Sequence, residues 1–188
     1  MEPKAFQSET QLVRKGRRVI RQALRQLVRP TVGTRAEVPA PGSVPDFVMY
    51  TRDRSSVLYV VTFEFKLASW RRALGQAFRH RNFGNEAYVV LDRARIAPAL
   101  KALDEFRAAN VGLLSIDWQS NVEAWHYPTP ALPFSKRFSR HLAKMLLSPR
   151  KTIPDDLQFT RSVRGGSVLA PLRRQLGEPS PADQVLVH

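Results

Sequence analysis

Apolar residues first recur at three- and four-residue spacing, with Leu12, Gly16, Val19, Ile20, Ala23, Leu24 and Leu27 on one side and Arg14, Arg17, Arg18, Arg21 and Arg25 on the others. That period predicts a helix with one packed face and one basic face. Ser8, with Gln11 three residues on, marks its start with capping-box spacing, Glu9 takes the first helical position, and Pro30 stops it.

The pattern then shifts to short β-branched and aromatic runs. Strands are expected at 34–38 (TRAEV), 44–50 (VPDFVMY) and 57–65 (VLYVVTFEF), separated by PAPGS and TRDRSS. A second helix is predicted from Ser69 as N-cap to about Arg81, with Trp70, Ala73, Leu74 and Ala77 as its stripe and NFGN as its stop. AYVVLD (87–92) reads as a strand, and APALKALDEFRAAN (97–110) as a helix with Leu100, Leu103 and Phe106 inward. VGLLSID and VEAWHY read as two more strands. The order α-β-β-β-α-β-α-β-β through residue 127 implies an α/β domain with a mixed sheet flanked by helices.

Composition changes at the Pro-rich PTPALP (128–133), which divides a domain at 1–127 from an extension at 128–188. The extension opens with a basic amphipathic helix carrying Phe134, Phe138, Leu142, Met145 and Leu146 on one side and Lys136, Arg137, Arg140 and Lys144 elsewhere. Docking on the core is its expected role, ahead of a homodimer contact or a clamp on nucleic acid. GGSVLAPLRRQL (165–176) reads as a possible further helix, and EPSPADQVLVH as a loose tail.

Charge alters this ordinary picture. Thirty Lys and Arg against 16 Asp and Glu leave a net +14 on 188 residues, although 43% of the chain is apolar. So basic a surface points to a polyanion: nucleic acid first, an anionic membrane surface or an acidic protein second. The absence of cysteine excludes disulfides and thiolate metal sites and fits a reducing cytoplasm. No run of some 18 apolar residues reads as a membrane span, and MEPKAFQSET lacks the apolar run of a secretion signal.

The chemistry concentrates at the end of the third expected strand. Alternation puts Leu58, Val60, Thr62, Glu64 and Lys66 on one face and Val57, Tyr59, Val61, Phe63 and Phe65 on the other, buried one. A hairpin centred near Arg54 sets Asp46 opposite Thr62 and diagonal to Glu64 on the same face. Two carboxylates beside a lysine suit a hard cation, Mg²⁺ or Mn²⁺, better than zinc. Such a cation polarises a phosphodiester and acidifies a bound water.

Asp46 after Pro45, a hairpin, Glu64-Phe65-Lys66 closing an apolar strand, then a helix and AYVVLD resemble the PD-(D/E)XK nuclease superfamily over about residues 6–127. The resemblance implies a restriction-endonuclease-like α-β-β-β-α-β core and DNA as the favoured polyanion. It implies Asp46, Glu64 and the Phe65 carbonyl as metal ligands, and Lys66 as the group assisting the attacking water. Many members carry a Gln in the helix after the Glu-x-Lys, here Gln76, often with a Tyr four residues on, here His80, for which solvent exposure is expected. Glu9 matches a first-helix acid that some members add to the metal site, and equally suits the helix dipole. Arg17 and Arg21 on the first helix and Arg71, Arg72, Arg79 and Arg81 on the second are expected to grip the phosphate backbone. Trp118 and Trp125 are expected in the core rather than as base-stacking platforms. A module with this fold and surface that binds nucleic acid without cutting it is the alternative.

Overall fold

The chain is described by a computed structural model over residues 4–27, 32–40, 42–52 and 57–148. The second expected helix of the extension and the C-terminal tail lie outside the described residues. Strands β1 (Val32–Ala36), β2 (Phe47–Arg52) and β3 (Val57–Lys66) form an antiparallel meander. Next come β4 (Glu86–Asp92) and β5 (Gly112–Ile116), parallel to β3, and an antiparallel β6 (Val122–His126), in spatial order β1-β2-β3-β4-β5-β6.

Parallel neighbours need crossovers, and helices supply them. Helix α2 (Trp70–His80) joins β3 to β4. A 3-10 turn (Arg93–Arg95), α3 (Ala97–Leu100) and α4 (Leu103–Ala109) join β4 to β5. The single helix expected over 97–110 is therefore broken: Ala102 leaves helical geometry at φ −114°, ψ 26°, while Ala99 and Phe106 stay buried in the same cluster. The chain begins with α1 (Glu9–Leu27), capped by Ser8 Oγ accepting from Gln11 N at 3.3 Å.

Both faces of the central strands are covered, so their apolar runs are nearly continuous. Leu12 and Ile20 of α1 pack with Phe47, Met49, Val61, Phe63, Phe65, Tyr88 and Val90 on one face. On the other, Trp70, Ala73 and Ala77 of α2 pack on Ala87, Val89 and Leu91. Helix α5 (Lys136–Leu147) covers the remainder of that second face, where Leu142 and Leu146 are buried with Val48, Tyr50 and Val60. The extension's first helix thus docks on the sheet, and Arg35 donates to the Met145 and Ser148 carbonyls at its end.

The boundaries of β1 and β2 differ from expectation. β1 ends at Ala36 because Glu37 adopts a left-handed φ of 48°, and β2 starts at Phe47 rather than 44, after Pro45, which has no N–H for a ladder. The hairpin register also moves. Val48, not Asp46, pairs with Thr62, and Phe47 pairs with Phe63, so Asp46, one residue before β2, comes level with Glu64. Two single-residue offsets cause this: Arg52 pairs with Val57, so the loop is one residue off the expected centre, and Thr51 then pairs with Tyr59, a bulge that leaves one extra residue in β3. The two-residue displacement preserves parity, so Asp46 and Glu64 remain on one face. No helix among the described residues is long and apolar enough to cross a membrane.

Candidate functional site

The apolar run of β3 carries Glu64 into the interior, where only 1% of its side chain is exposed. Asp46 is tied to the same place by its own hydrogen bond, Oδ2 accepting from Phe65 N at 2.8 Å. Lys66 closes the strand with its ammonium shared three ways, 3.1 Å from Glu64 Oε1, 2.7 Å from Glu9 Oε1 and 3.1 Å from the Phe65 carbonyl. Glu9 reaches it from the first turn of α1. Glu64 Oε2 is buried with no hydrogen-bond partner.

These contacts set the protonation of the site. Burial pushes the Glu64 carboxyl up to about 7, repulsion from Asp46 adds to it, and Lys66 opposes it. Burial also raises Asp46, more than the Phe65 N–H and the Lys66 charge lower it. For Lys66 burial acts downward, but Glu9, Glu64 and Asp46 together outweigh it and hold the ammonium charged. Glu64 is therefore close to half-protonated at neutral pH, and an added positive charge beside it would release that proton.

His80 is fully buried, which corrects the expected exposure: it extends the Trp70–Ala73–Ala77 stripe by one more step of three and so faces the sheet. Its Nε2 lies 2.9 Å from Ser43 Oγ and 3.9 Å from Glu64 Oε2. Burial, with the Arg79 charge adding, lowers its pKa to about 3, so the ring beside Glu64 is neutral. Gln76, one turn earlier, is half-buried with an unpartnered Oε1. Ser43, in the turn before β2, could not be singled out in sequence, since nothing in PAPGS distinguishes a structural serine from one that meets a histidine across the fold.

The arginines divide into groups. A cleft of about 900 Å³ opens beside α1, lined by Glu9, Arg14, Arg17, Arg18, Arg21 and Asp46 among others. Arg17 is held at its floor, donating to the Asp46 carbonyl at 2.5 Å and to Glu37 Oε1 at 3.1 Å, so it braces the site. Arg14, Arg18 and Arg21 are exposed, Arg21 with its guanidinium 5.3 Å from the Phe47 ring centre. Arg71, Arg72 and Arg79 are exposed on α2 and do not line this cleft; Arg71 stacks on Trp70 at 4.2 Å and lies 3.9 Å from Glu105. Arg81 is buried and corrects its expected place on a phosphate surface: it caps α2, faces the Phe134 ring at 5.3 Å and sits in the field of Glu86. Trp125 is half-buried and donates Nε1–H to Ser115 Oγ at 2.9 Å, while Trp118 leans on the core with part of its surface.

Among the described residues no three His, Cys, Asp or Glu side chains come together as a metal-binding group. What converges is smaller: the Asp46 and Glu64 carboxylates and the Phe65 carbonyl, with one buried carboxylate oxygen unpartnered. All-oxygen sets of one or two carboxylates completed by water suit Mg²⁺, which dehydrates reluctantly, and fall short of a protein cage for Ca²⁺ or a nitrogen-rich zinc site. No family model, curated protein or solved structure matches the chain.

Proposed function

We propose that the chain is a metal-dependent nuclease of the PD-(D/E)XK, restriction-endonuclease-like kind, hydrolysing DNA phosphodiester bonds. The observation that carries this reading is the unpartnered Glu64 oxygen, held level with Asp46 and 3.1 Å from the Lys66 ammonium on its other oxygen, beside a cleft rich in arginine. Asp46, Glu64 and the Phe65 carbonyl would hold Mg²⁺ or Mn²⁺. When bound, the cation supplies acidification of a water and neutralisation of charge on the leaving oxygen. Lys66 orients the attacking water and stabilises the crowded phosphorus from the same side. Glu64 arrives partly protonated and gives up its proton as positive charge enters. Gln76 has an oxygen to offer the water or the lysine. Arg21 in the cleft, with Arg71, Arg72 and Arg79 on α2, supplies phosphate contacts around it, and Arg17 contributes through Asp46. In the reaction the water oxygen bonds to phosphorus, the bond to one bridging oxygen breaks, and that oxygen leaves with a proton. DNA is preferred over RNA on the resemblance, and the cysteine-free chain suits the cytoplasm.

One observation favours the alternative, a nucleic-acid-binding module without cleavage. Lys66 already donates toward Glu9, Glu64 and Phe65 O, so the acidic groups have a resident countercharge. Supercoiled plasmid and single-stranded DNA incubated with Mg²⁺, Mn²⁺ or EDTA separate the two. Cutting that requires both the metal and Glu64, lost in Glu64→Ala, supports the nuclease. Salt-sensitive binding with no cutting in any metal supports the module.

A further inference from the structure

Helix α1 has a groove on each flank. Opposite the cleft that leads to Asp46 lies a second one of about 440 Å³, lined by Phe6, Arg14, Lys15, Arg18, Trp118 and Ser120 among others. Arg14 and Arg18 line both, so they form the crest between them. No Asp or Glu is among the described residues lining the second groove. The adjacent Asp117 is occupied within its own turn, its carboxylate accepting from Asn121 N and Nδ2 at 2.8 and 2.7 Å. That turn holds Ser120, on the groove wall, at a left-handed φ of 82°, a conformation disfavoured for a residue with a side chain and kept here by the surrounding bonds.

The groove's floor is aromatic. Trp118 is half-exposed, with Phe6 tilted against it at 5.5 Å and the ammonium groups of Lys4 and Lys15 over its ring at 4.5 and 4.8 Å. Phe6 is fixed in turn by its N–H to Asp92 Oδ2 at 3.0 Å, so the platform is braced from the sheet. A π-face surrounded by cations fits a ligand with alternating planar rings and anionic groups. Lys4 rests on the exposed ring by a weak cation–π contact and can swing to a phosphate while a base takes its place, whereas Lys15, which also donates to the Trp118 carbonyl, stays beside the ring with its charge toward the groove.

We infer that this second groove is a binding site for single-stranded nucleic acid, with a base stacked on Trp118, its phosphates on Lys15 and Lys4, and the strand crossing α1 over Arg14 and Arg18. It rests on the proposed nuclease only for the strand's other end, which enters the cleft at Asp46. Its substrate class is thus nucleic acid with an unpaired segment beside the scissile phosphate. A rigid blunt duplex cannot follow both flanks of one helix.

The test is fluorescence anisotropy of the full chain in EDTA with labelled single strands, forked duplexes and blunt duplexes, in DNA and in RNA of the same sequence. Single strands and forks are expected to bind more tightly than blunt duplex, and Trp118→Leu to weaken them about tenfold while leaving blunt duplex unchanged. Lys15→Ala should weaken them in the same order. Because Trp118 also leans on the core, wild-type protein is photo-crosslinked to a bromodeoxyuridine-containing strand, with the crosslink expected at Trp118. Equal binding of all forms, or crosslinks confined elsewhere, overturns the inference. So does Trp118-dependent binding of phosphatidylserine vesicles with no oligonucleotide preference, which assigns the groove to a lipid surface. The Mg²⁺ cleavage assay is read separately: strand preference without cutting sinks the nuclease and keeps the groove, whereas cutting indifferent to Trp118 does the reverse.

Discussion

The Asp46 carboxylate accepts the Phe65 amide at 2.8 Å, so one putting-together of β2's approach with β3's end fixes both a carboxylate and the carbonyl next to it. The bond gives two substitutions different outcomes. Asp46→Asn keeps an acceptor for Phe65 N–H and removes the charge. It should lose cleavage by about 100-fold or more, as removal of one preorganised electrostatic group does, with its Tm near that of wild type. Asp46→Ala also strands the amide and should lower stability by about 1 kcal/mol besides. Thermal melts beside plasmid cleavage check both, and full activity in Asp46→Asn would remove Asp46 from the site.

Glu64 makes stability depend on pH in an unusual direction. Its folded pKa, about 7, lies above its ordinary 4.5, so between those values the folded state binds the proton that the unfolded chain releases. The contribution is present in full below pH 4.5 and is lost as pH rises through 7, by about 3 kcal/mol at most. In EDTA the Tm of wild type relative to that of Glu64→Gln should therefore fall between pH 5 and pH 8, a difference from which the opposing titration of His80 drops out. Mg²⁺ should raise the Tm of wild type at pH 8 but not that of Glu64→Gln. A Tm difference between the two proteins that is independent of pH over this interval would contradict the burial of the charge.

His80 contributes with the opposite sign. Its folded pKa, about 3, lies below the ordinary 6.5, so the stability it lends is present above 6.5 and lost as pH falls toward 3. NMR titration should find its ring neutral from pH 8 to pH 4, while an exposed imidazole would titrate near 6.5. His80→Phe should place an apolar ring against the Glu64 oxygen and lower cleavage with little change in DNA binding, which the same plasmid assay and anisotropy would read.

Salt sensitivity separates the arginines. Arg14→Ala, Arg18→Ala and Arg21→Ala should each lower the slope of log K against log salt by about one, as loss of one phosphate contact does. Arg71→Ala should change it less, because that side chain stacks on Trp70 and faces Glu105. Arg17→Ala belongs to neither group: it releases the Asp46 carbonyl and should reduce cleavage more than binding. DNA titrations between 50 and 200 mM salt, roughly the range over which such contacts dominate, decide the assignment.

Element order and facing within a strand were legible because each rests on short-range periodicity: Glu64 and Lys66 share a face by alternation alone, and Asp46 joins them because the displacement of the hairpin happens to be even. Register was not, since the loop offset at Arg52↔Val57 and the bulge at Thr51↔Tyr59 each add one residue and together move Asp46 from Thr62 to Glu64, and a bulge leaves no mark in an apolar run. The burial of His80 follows from its place on the 70–73–77 stripe, where position outweighs the polarity of the ring. That of Arg81 does not, for it depends on Phe134 folding back from beyond the Pro-rich segment, with its N–H on the Arg81 carbonyl. The meeting of Glu9 with Lys66 joins residues 57 apart and follows only from the packing of α1 on the sheet.

That packing hangs on Gly16. A Cβ there would stand 2.2 Å from Phe65 Cε1, and Phe65 is completely buried between α1 and the sheet. The ring cannot retreat without moving the backbone that carries its carbonyl and lies between Glu64 and Lys66. Gly16→Ala, ordinarily stabilising within a helix, should here cost about 1–3 kcal/mol through overpacking. If α1 instead shifts outward to relieve the clash, Glu9 withdraws from Lys66, and cleavage falls although no residue that meets the phosphate has changed. Equilibrium unfolding and cleavage by Gly16→Ala should therefore decline together. A variant as stable as wild type would mean that α1 rides on β3 less closely than the 2.2 Å approach requires.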